Sequence, residues 1–159
     1  MLAVVEADLQ QTHHVQALVA LMDEYAQHEM GQSKPLDAAI KERLPSALQA
    51  RTDAFQVLAF DAKRPVGLVN CFEGFSTFAC KPLVNIHDVI VTADYRGQGL
   101  TRKLFAKVEE VARRRDACKI TLEVLEGNRQ AQQAYQALGF AGYQLDPQLG
   151  QALFWEKKL

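Results

Sequence analysis

Apolar residues change their spacing several times along this chain, and each change predicts an element. Leu2 to Glu6 is a short apolar run that predicts an opening strand. From Thr12 the spacing turns helical, with Val15, Leu18, Val19, Met22 and Tyr25 on one face and Thr12 as N-cap. Gly31-Gln32-Ser33-Lys34-Pro35 is a break. A second helical pattern follows at Leu36, Ile40, Leu44 and Leu48, and Pro45 inside it predicts a kink or two short helices. Phe55 to Phe60 reads as a strand, Asp61 to Pro65 as a hairpin turn, and Val66 to about Phe72 as the return strand. Glu73 to Pro82 mixes aromatic, glycine and polar residues. It is either a long continuation of that strand or a loop at a cleft.

Ile86 to Val91 predicts the next strand, and Leu100, Leu104, Phe105, Val108, Val111 and Ala112 trace a helix that runs to about Asp116. Ile120, Leu122 and Val124 alternate as in a strand. Asn128 opens a helix that carries Ala131, Ala134, Tyr135 and Leu138 on one face and ends at Gly139 as its C′ glycine. Two strands, about Ala141 to Leu145 and Ala152 to Lys157, are expected to close the chain. The order β-α-α-β-β-β-α-β-α-β-β predicts a single mixed α/β domain over residues 1–159, with helices covering a sheet.

Bulk properties narrow the function by exclusion. Basic residues number 18 and acidic residues 19, and a net charge of −1 gives no electrostatic footing for nucleic acid or a membrane surface. Arg113-Arg114-Arg115 follows a helical pattern and reads as a solvated last turn favoured by the helix dipole. Cys71, Cys80 and Cys118 form no paired spacing, which fits reduced cytosolic thiols better than a disulfide framework. Neither a membrane-length apolar run nor a secretory leader pattern is present, so a cytoplasmic protein is expected. His13, His14 and His28 lack ligand spacing with cysteines or carboxylates. They read as surface residues, and no metal is expected.

The chemistry begins at Asp94-Tyr95-Arg96-Gly97-Gln98-Gly99-Leu100-Thr101, where a strand runs through a glycine turn into a helix. The first amides of a helix lack intrahelical acceptors and carry partial positive charge, so this junction suits a phosphate group. Gly97 and Gly99 remove the Cβ atoms that would hold an anion away. A dinucleotide fingerprint would need a third glycine where Arg102 stands, and a P-loop would need Gly-Lys-Ser/Thr.

Order and motifs together resemble the GNAT superfamily of acetyl-CoA-dependent N-acetyltransferases. One part is the pyrophosphate loop, here Arg96-Gly97-Gln98-Gly99-Leu100-Thr101, with Thr101 where the superfamily usually has glycine or alanine. The other is Asn-x-x-Ala-x-x-x-Tyr-x-x-Leu-Gly-Phe, here Asn128, Ala131, Tyr135, Leu138, Gly139 and Phe140. The resemblance covers nearly the whole chain. It implies a mostly antiparallel twisted sheet flanked by helices, with acetyl-CoA as co-substrate. The implied cofactor contacts are backbone groups of Val89, Ile90 and Val91 for the pantetheine arm, Arg96 to Thr101 for the pyrophosphate, and Asn128, also a plain N-cap, for the pantetheine. Gln98, Arg102 and Lys103 are further phosphate contacts.

Acetyl transfer needs a neutral attacking amine, although a free alkylamine has a pKa of about 10.4. It also needs a donor for the developing oxyanion and a proton for the departing thiolate. Tyr135 matches the superfamily's tyrosine that supplies the proton. Taken alone it reads as a core aromatic. In the polyamine acetyltransferases Glu-Asp precedes the apolar triplet of this strand, and His87-Asp88 stands there instead. By strand alternation His87 shares a face with Asn85, Val89 and Val91 and is the candidate base. Asp88 points the other way, to orient a neighbouring element, and Asp88 itself or a water chain remains open as the base.

The resemblance places acceptor recognition on the N-terminal helices, where Glu24, Tyr25, Glu29 and Asp37 suit a cationic amine. The segment Phe75-Ser76-Thr77-Phe78 loosely resembles the polyamine and diamine branch, so a small primary amine leads. Amino acids, aminoglycosides and protein lysines or N-termini remain open, as does a non-catalytic acetyl-CoA-binding sensor. A homodimer through the C-terminal strands is open too. Ala152-Leu153-Phe154-Trp155 fits that or an ordinary core strand.

Overall fold

The computed structural model describes residues 1–144 and 146–159. Backbone contacts divide the chain into two compact units, Met1–Glu123 and Val124–Leu159. The first holds a five-stranded sheet in the order β1 (Leu2–Glu6), β2 (Ala54–Asp61), β3 (Arg64–Ser76), β4 (Lys81–Val91) and β5 (Ile120–Leu122). Each neighbouring pair is antiparallel except β4 with β5, which is parallel. The long reading of Glu73 to Pro82 holds. β3 runs on to Ser76, which faces Lys81 across the hairpin end.

Helices cover both faces of the sheet. Helix α1 (Thr12–Gln27) and helix α2 (Ala38–Gln49) lie on one. There Ala17, Leu18, Leu21 and Leu48 pack on Leu58, Phe60, Leu68 and Ile90. Helix α3 (Leu100–Arg114) takes the other face and buries the stripe read from the sequence, Leu100, Leu104, Phe105, Val108, Val111 and Ala112. A Cβ on Gly67 would come within 3.0 Å of Leu104, so β3 is glycine where α3 comes closest. Burying one such side chain stabilises a fold by about 1.5–3 kcal/mol, so these two layers hold the sheet.

Several sequence expectations need correction. Thr12 is the first helical residue rather than the N-cap. No side chain caps α1 at Gln11, while Asp8 accepts from the Gln10 N–H at 3.0 Å. Pro45 does not split α2 into two short helices, because α2 runs from Ala38 to Gln49 with Pro45 buried inside it. His14 is not on the surface. It is 7% exposed and stacks on Phe60 at 5.6 Å. The three arginines are not simply solvated, because Arg114 pairs with Glu6, and Arg115 with Glu73 at 3.1 Å.

The second unit holds helix α4 (Arg129–Gln136). It ends in a Schellman arrangement. The Phe140 N–H donates to the Tyr135 carbonyl, the Gly139 N–H donates to the Gln136 carbonyl, and Gly139 has φ 91°. The expected closing strands do not form among the described residues, and Leu145 lies outside them. A strand needs a neighbour, and these segments enter no ladder. The Ala152 N–H donates to the Tyr143 carbonyl at 3.5 Å. Trp155 is accordingly 83% exposed.

Candidate active site

The glycine loop has the geometry that phosphate binding requires. A 3-10 turn at Ala93–Tyr95 leads into it, and Gly99 is the N-cap of α3. Gly97 (φ 71°) and Gly99 (φ 76°) are both left-handed, a region that other residues enter at a cost. No protein atom lies within 4 Å of where a Cβ on either would stand. No side chain caps α3, so its first amides face outward uncapped. Thr101 is half-buried in the first turn of α3, while Arg96, Gln98, Arg102 and Lys103 are exposed around it. Gln98 donates to the Asp94 carbonyl at 2.6 Å and Arg96 to the Val91 carbonyl at 3.1 Å. Both bonds fix the turn. An extended anion fits this cradle.

Upstream, β4 loses one neighbour. Its ladder with β5 covers Val84–Ile86, while its ladder with β3 continues to Val91. Val89, Ile90 and Val91 therefore pair on one side only. Backbone amides and carbonyls on the open side need partners. The amide-bearing pantetheine arm of acetyl-CoA would fit there, in line with the loop.

A bulge then redirects His87 and Asp88. Asn70 pairs with Asp88 and Cys71 with Ile86, so His87 is an extra residue on β4. Alternation is reset. The His87 ring meets Phe72 edge-on at 5.4 Å, and Asp88 accepts from the Asn70 amide at 2.9 Å. Phe72 packs on the α1 cluster, and the Asn70 amide lies 3.2 Å from the sulfur of Met22 on α1. His87 and Asp88 thus both face α1. Val89 pairs with Val69, and Val91 with Gly67, on the α3 face. The expected sharing of a face by His87, Val89 and Val91, with Asp88 opposite, does not hold, because a bulge is invisible to strict alternation.

Of the predicted acceptor residues, Tyr25 joins this group. Burial, with a contribution from the charge of Asp88, holds its phenol above the ordinary value. Glu24 and Glu29 are exposed. Sequence reading missed Asn70. The signal was present, one amide inside the apolar run Val66 to Cys71, where a buried polar side chain requires a reason. In the second unit the Asn128 side chain accepts from the Ala131 N–H at 3.2 Å, a capping role that leaves its amide nitrogen as a donor. Tyr135 lies in α4 with its ring 6.3 Å from that of Phe140. Among the described residues no three of His, Cys, Asp and Glu gather to hold a metal, and no helix is long and apolar enough to cross a membrane.

Comparison with known proteins identifies the family. The acetyltransferase (GNAT) family model matches residues 9–140, and the chain belongs to that family. It is similar to the thialysine N-epsilon-acetyltransferase of Caenorhabditis elegans, 24% identical over 127 residues, which are 80% of this chain and 77% of that protein. The Bos taurus enzyme of the same name is 39% identical over 56 residues, 35% of this chain, so the chain spans a third (33%) of that relative's length. Among solved structures, a soil-metagenome aminoglycoside acetyltransferase in complex with sisomicin superposes with a TM-score of 0.80 at 14% identity, over 99% of this chain and 96% of that one. AAC(6')-Iy, in complex with a bisubstrate analog of CoA, gives 0.78 at 13% identity, over 100% and 99%. At such identities the likeness is one of fold.

Proposed function

We propose that residues 1–159 act as one N-acetyltransferase domain that moves an acetyl group from acetyl-CoA to a small primary amine by direct transfer in a ternary complex. The observation that carries this is the one-sided stretch of β4 running into an uncapped helix start with two left-handed glycines. When bound, acetyl-CoA supplies the activated acetyl thioester. Backbone groups of Val89, Ile90 and Val91 hold its pantetheine arm together with Asn128, and the amides from Gly97 to Thr101 hold its pyrophosphate beside Arg96 and Gln98. His87, exposed at the bulge, takes the proton from the attacking amine. Tyr135 gives a proton to the departing sulfur.

Thialysine and aminoglycosides, named in the relatives and neighbours, are both amines, which supports a small-molecule acceptor. Tyr25 on α1, within reach of the Asp88 charge, supports a cationic one, with exposed Glu24 and Glu29 drawing it in. An odd cysteine count without paired spacing supports a cytoplasmic setting. Exposed Leu153, Phe154 and Trp155 support a homodimer.

Thermal melting with acetyl-CoA, CoA, NAD and ATP tests the cofactor. A ligand at 100 times its Kd that binds only the folded state adds about 2.7 kcal/mol. Shifts with acetyl-CoA and CoA alone, followed by amine-dependent CoA release, are expected. CoA binding without release for any amine favours a sensor. Absence of any shift with either ligand removes the proposal.

A further inference from the structure

We infer that Asn70 and Asp88, facing Met22 and Tyr25 of α1, form the seat for the ammonium group of the acceptor. This rests on the acetyl-transfer reading above.

Asn70 is 3% exposed, and its amide donates to the Asp88 carboxylate at 2.9 Å. A carboxylate only accepts, so the NH2 side of the amide must face it and Oδ1 must turn away. No donor reaches that Oδ1 among the described residues. A buried amide oxygen without a partner is costly, and natural folds seldom retain one without a use. Asp88 is half-buried, and among the described residues no cation pairs with it, although nine ion pairs form elsewhere. Its charge is felt nearby. It adds to the burial that raises the Tyr25 phenol, and to the burial that pushes the Cys71 thiol well up.

One hydrogen bond thus links a carboxylate without a cation to an amide whose oxygen, turned to the other side, has no donor among the described residues. A primary ammonium brings three N–H donors and one positive charge, which matches both. A neutral hydroxyl would leave the carboxylate unpaired, and an anion would be repelled. Oδ1 is closed to solvent in this state, so something must yield on binding. Met22 is the adjustable neighbour. Its sulfur lies 3.2 Å from the Asn70 nitrogen, on an unbranched side chain that repacks readily. The bulge at His87 places this seat beside the residue assigned to take the proton.

Two acceptors of similar size separate the charge from the rest: a primary alkylamine, cationic at pH 7, and an acyl hydrazide, neutral there. Asn70→Leu keeps the volume without the acceptor. Asp88→Asn keeps size and hydrogen bonding without the charge, and stands if the leucine variant does not fold. Each is expected to raise the KM for the alkylamine about tenfold or more, the effect of a lost charge-assisted bond, and to move the KM for hydrazide and for acetyl-CoA less than about threefold. Unchanged alkylamine KM in Asp88→Asn, or an equal rise for both acceptors, overturns the seat. If the wild type acetylates neither acceptor, the acetyl-transfer reading is what has failed. Calorimetric titration of the CoA-bound protein with the alkylamine then decides the seat alone. Binding that Asp88→Asn abolishes upholds it, and no binding by the wild type overturns it.

Discussion

Arg64 and Asp94 form a two-bond ion pair, at 2.6 and 3.0 Å, that ties the β2–β3 turn to the turn just ahead of the glycine loop. The same guanidinium lies 5.7 Å over the Tyr95 ring, whose hydroxyl donates to Asp61 at 2.6 Å. Gln98 in turn donates to the Asp94 carbonyl. The turn leading into the loop is therefore held from behind by the β2–β3 hairpin. Exposed pairs of this kind add little to stability and are screened by salt. The consequence falls on positioning instead. Arg64→Ala is expected to leave the melting temperature nearly unchanged and to raise the KM for acetyl-CoA about threefold to tenfold, by loosening a preorganised loop. Steady-state kinetics at low salt decides it, and an unaltered KM for acetyl-CoA removes the clamp from the account.

Gly99 separates backbone strain from crowding. With φ at 76° a β-branched residue there is strained, at about 1–2 kcal/mol. Its Cβ would nonetheless meet no protein atom within 4 Å. Gly99→Val should therefore fold, with a modestly lowered melting temperature, and lose acetyl-CoA affinity by more than about 100-fold, because the side chain fills the space the pyrophosphate needs. Gly99→Asn, which tolerates the left-handed region, should melt closer to the wild type and still bind poorly. Micromolar binding of acetyl-CoA by the valine variant in calorimetry would falsify the loop assignment.

Much of this could be read along the chain, and the misreadings share a cause. Where a pattern is local, as in the buried stripe of α3 or Asn128 capping α4, spacing and residue type suffice. The His87 bulge depends on how β4 registers against β3, a relation between distant segments, and it moved Asp88 onto the α1 face. Asn70 looked like one polar residue in a strand until its partners on β4 and α1 were placed. Pro45 stayed helical because its neighbours keep it buried, a tertiary effect that overrides local propensity. The closing strands were expected over about Ala141 to Leu145 and Ala152 to Lys157, yet Ala152-Leu153-Phe154-Trp155 is a consecutive apolar run rather than an alternation, and no strand ladder includes it among the described residues.

Tyr135 offers a test of chemistry rather than structure. Its carbonyl accepts from the N–H groups of Leu138 and Phe140, so backbone hydrogen bonds close the helix end. Tyr135→Phe removes one hydroxyl and leaves that arrangement in place. Turnover is expected to fall about 100-fold, the lower end for loss of a positioned general acid. Affinity for acetyl-CoA by calorimetry should stay within about twofold. Wild-type turnover in the variant would take the thiol-protonating role away from Tyr135.

His14 sets the pH response on the mild acid side. Burial first, and then the neighbouring charge of His13, hold its imidazole below the ordinary value of 6.5. The Asp8 N–H donates to its Nδ1 at 2.9 Å, so protonation at that atom would break a bond as well as bury a charge. The folded state thus binds this proton less readily than the unfolded one. Stability from the neutral imidazole is complete above the unfolded value and declines as pH falls below about 6.5 toward the folded one. The depressed carboxylates of Asp8, Asp23, Asp61 and Asp94 act with the same sign at lower pH. Their contribution is present above an unfolded value of 3.8 and fades beneath it. The two windows are separate. Melting temperatures between pH 7.5 and pH 5 should fall in the wild type, and fall less in His14→Gln, which keeps an acceptor for Asp8 but cannot take up the proton. Parallel curves for the two proteins over that range would show that His14 is not the group being titrated.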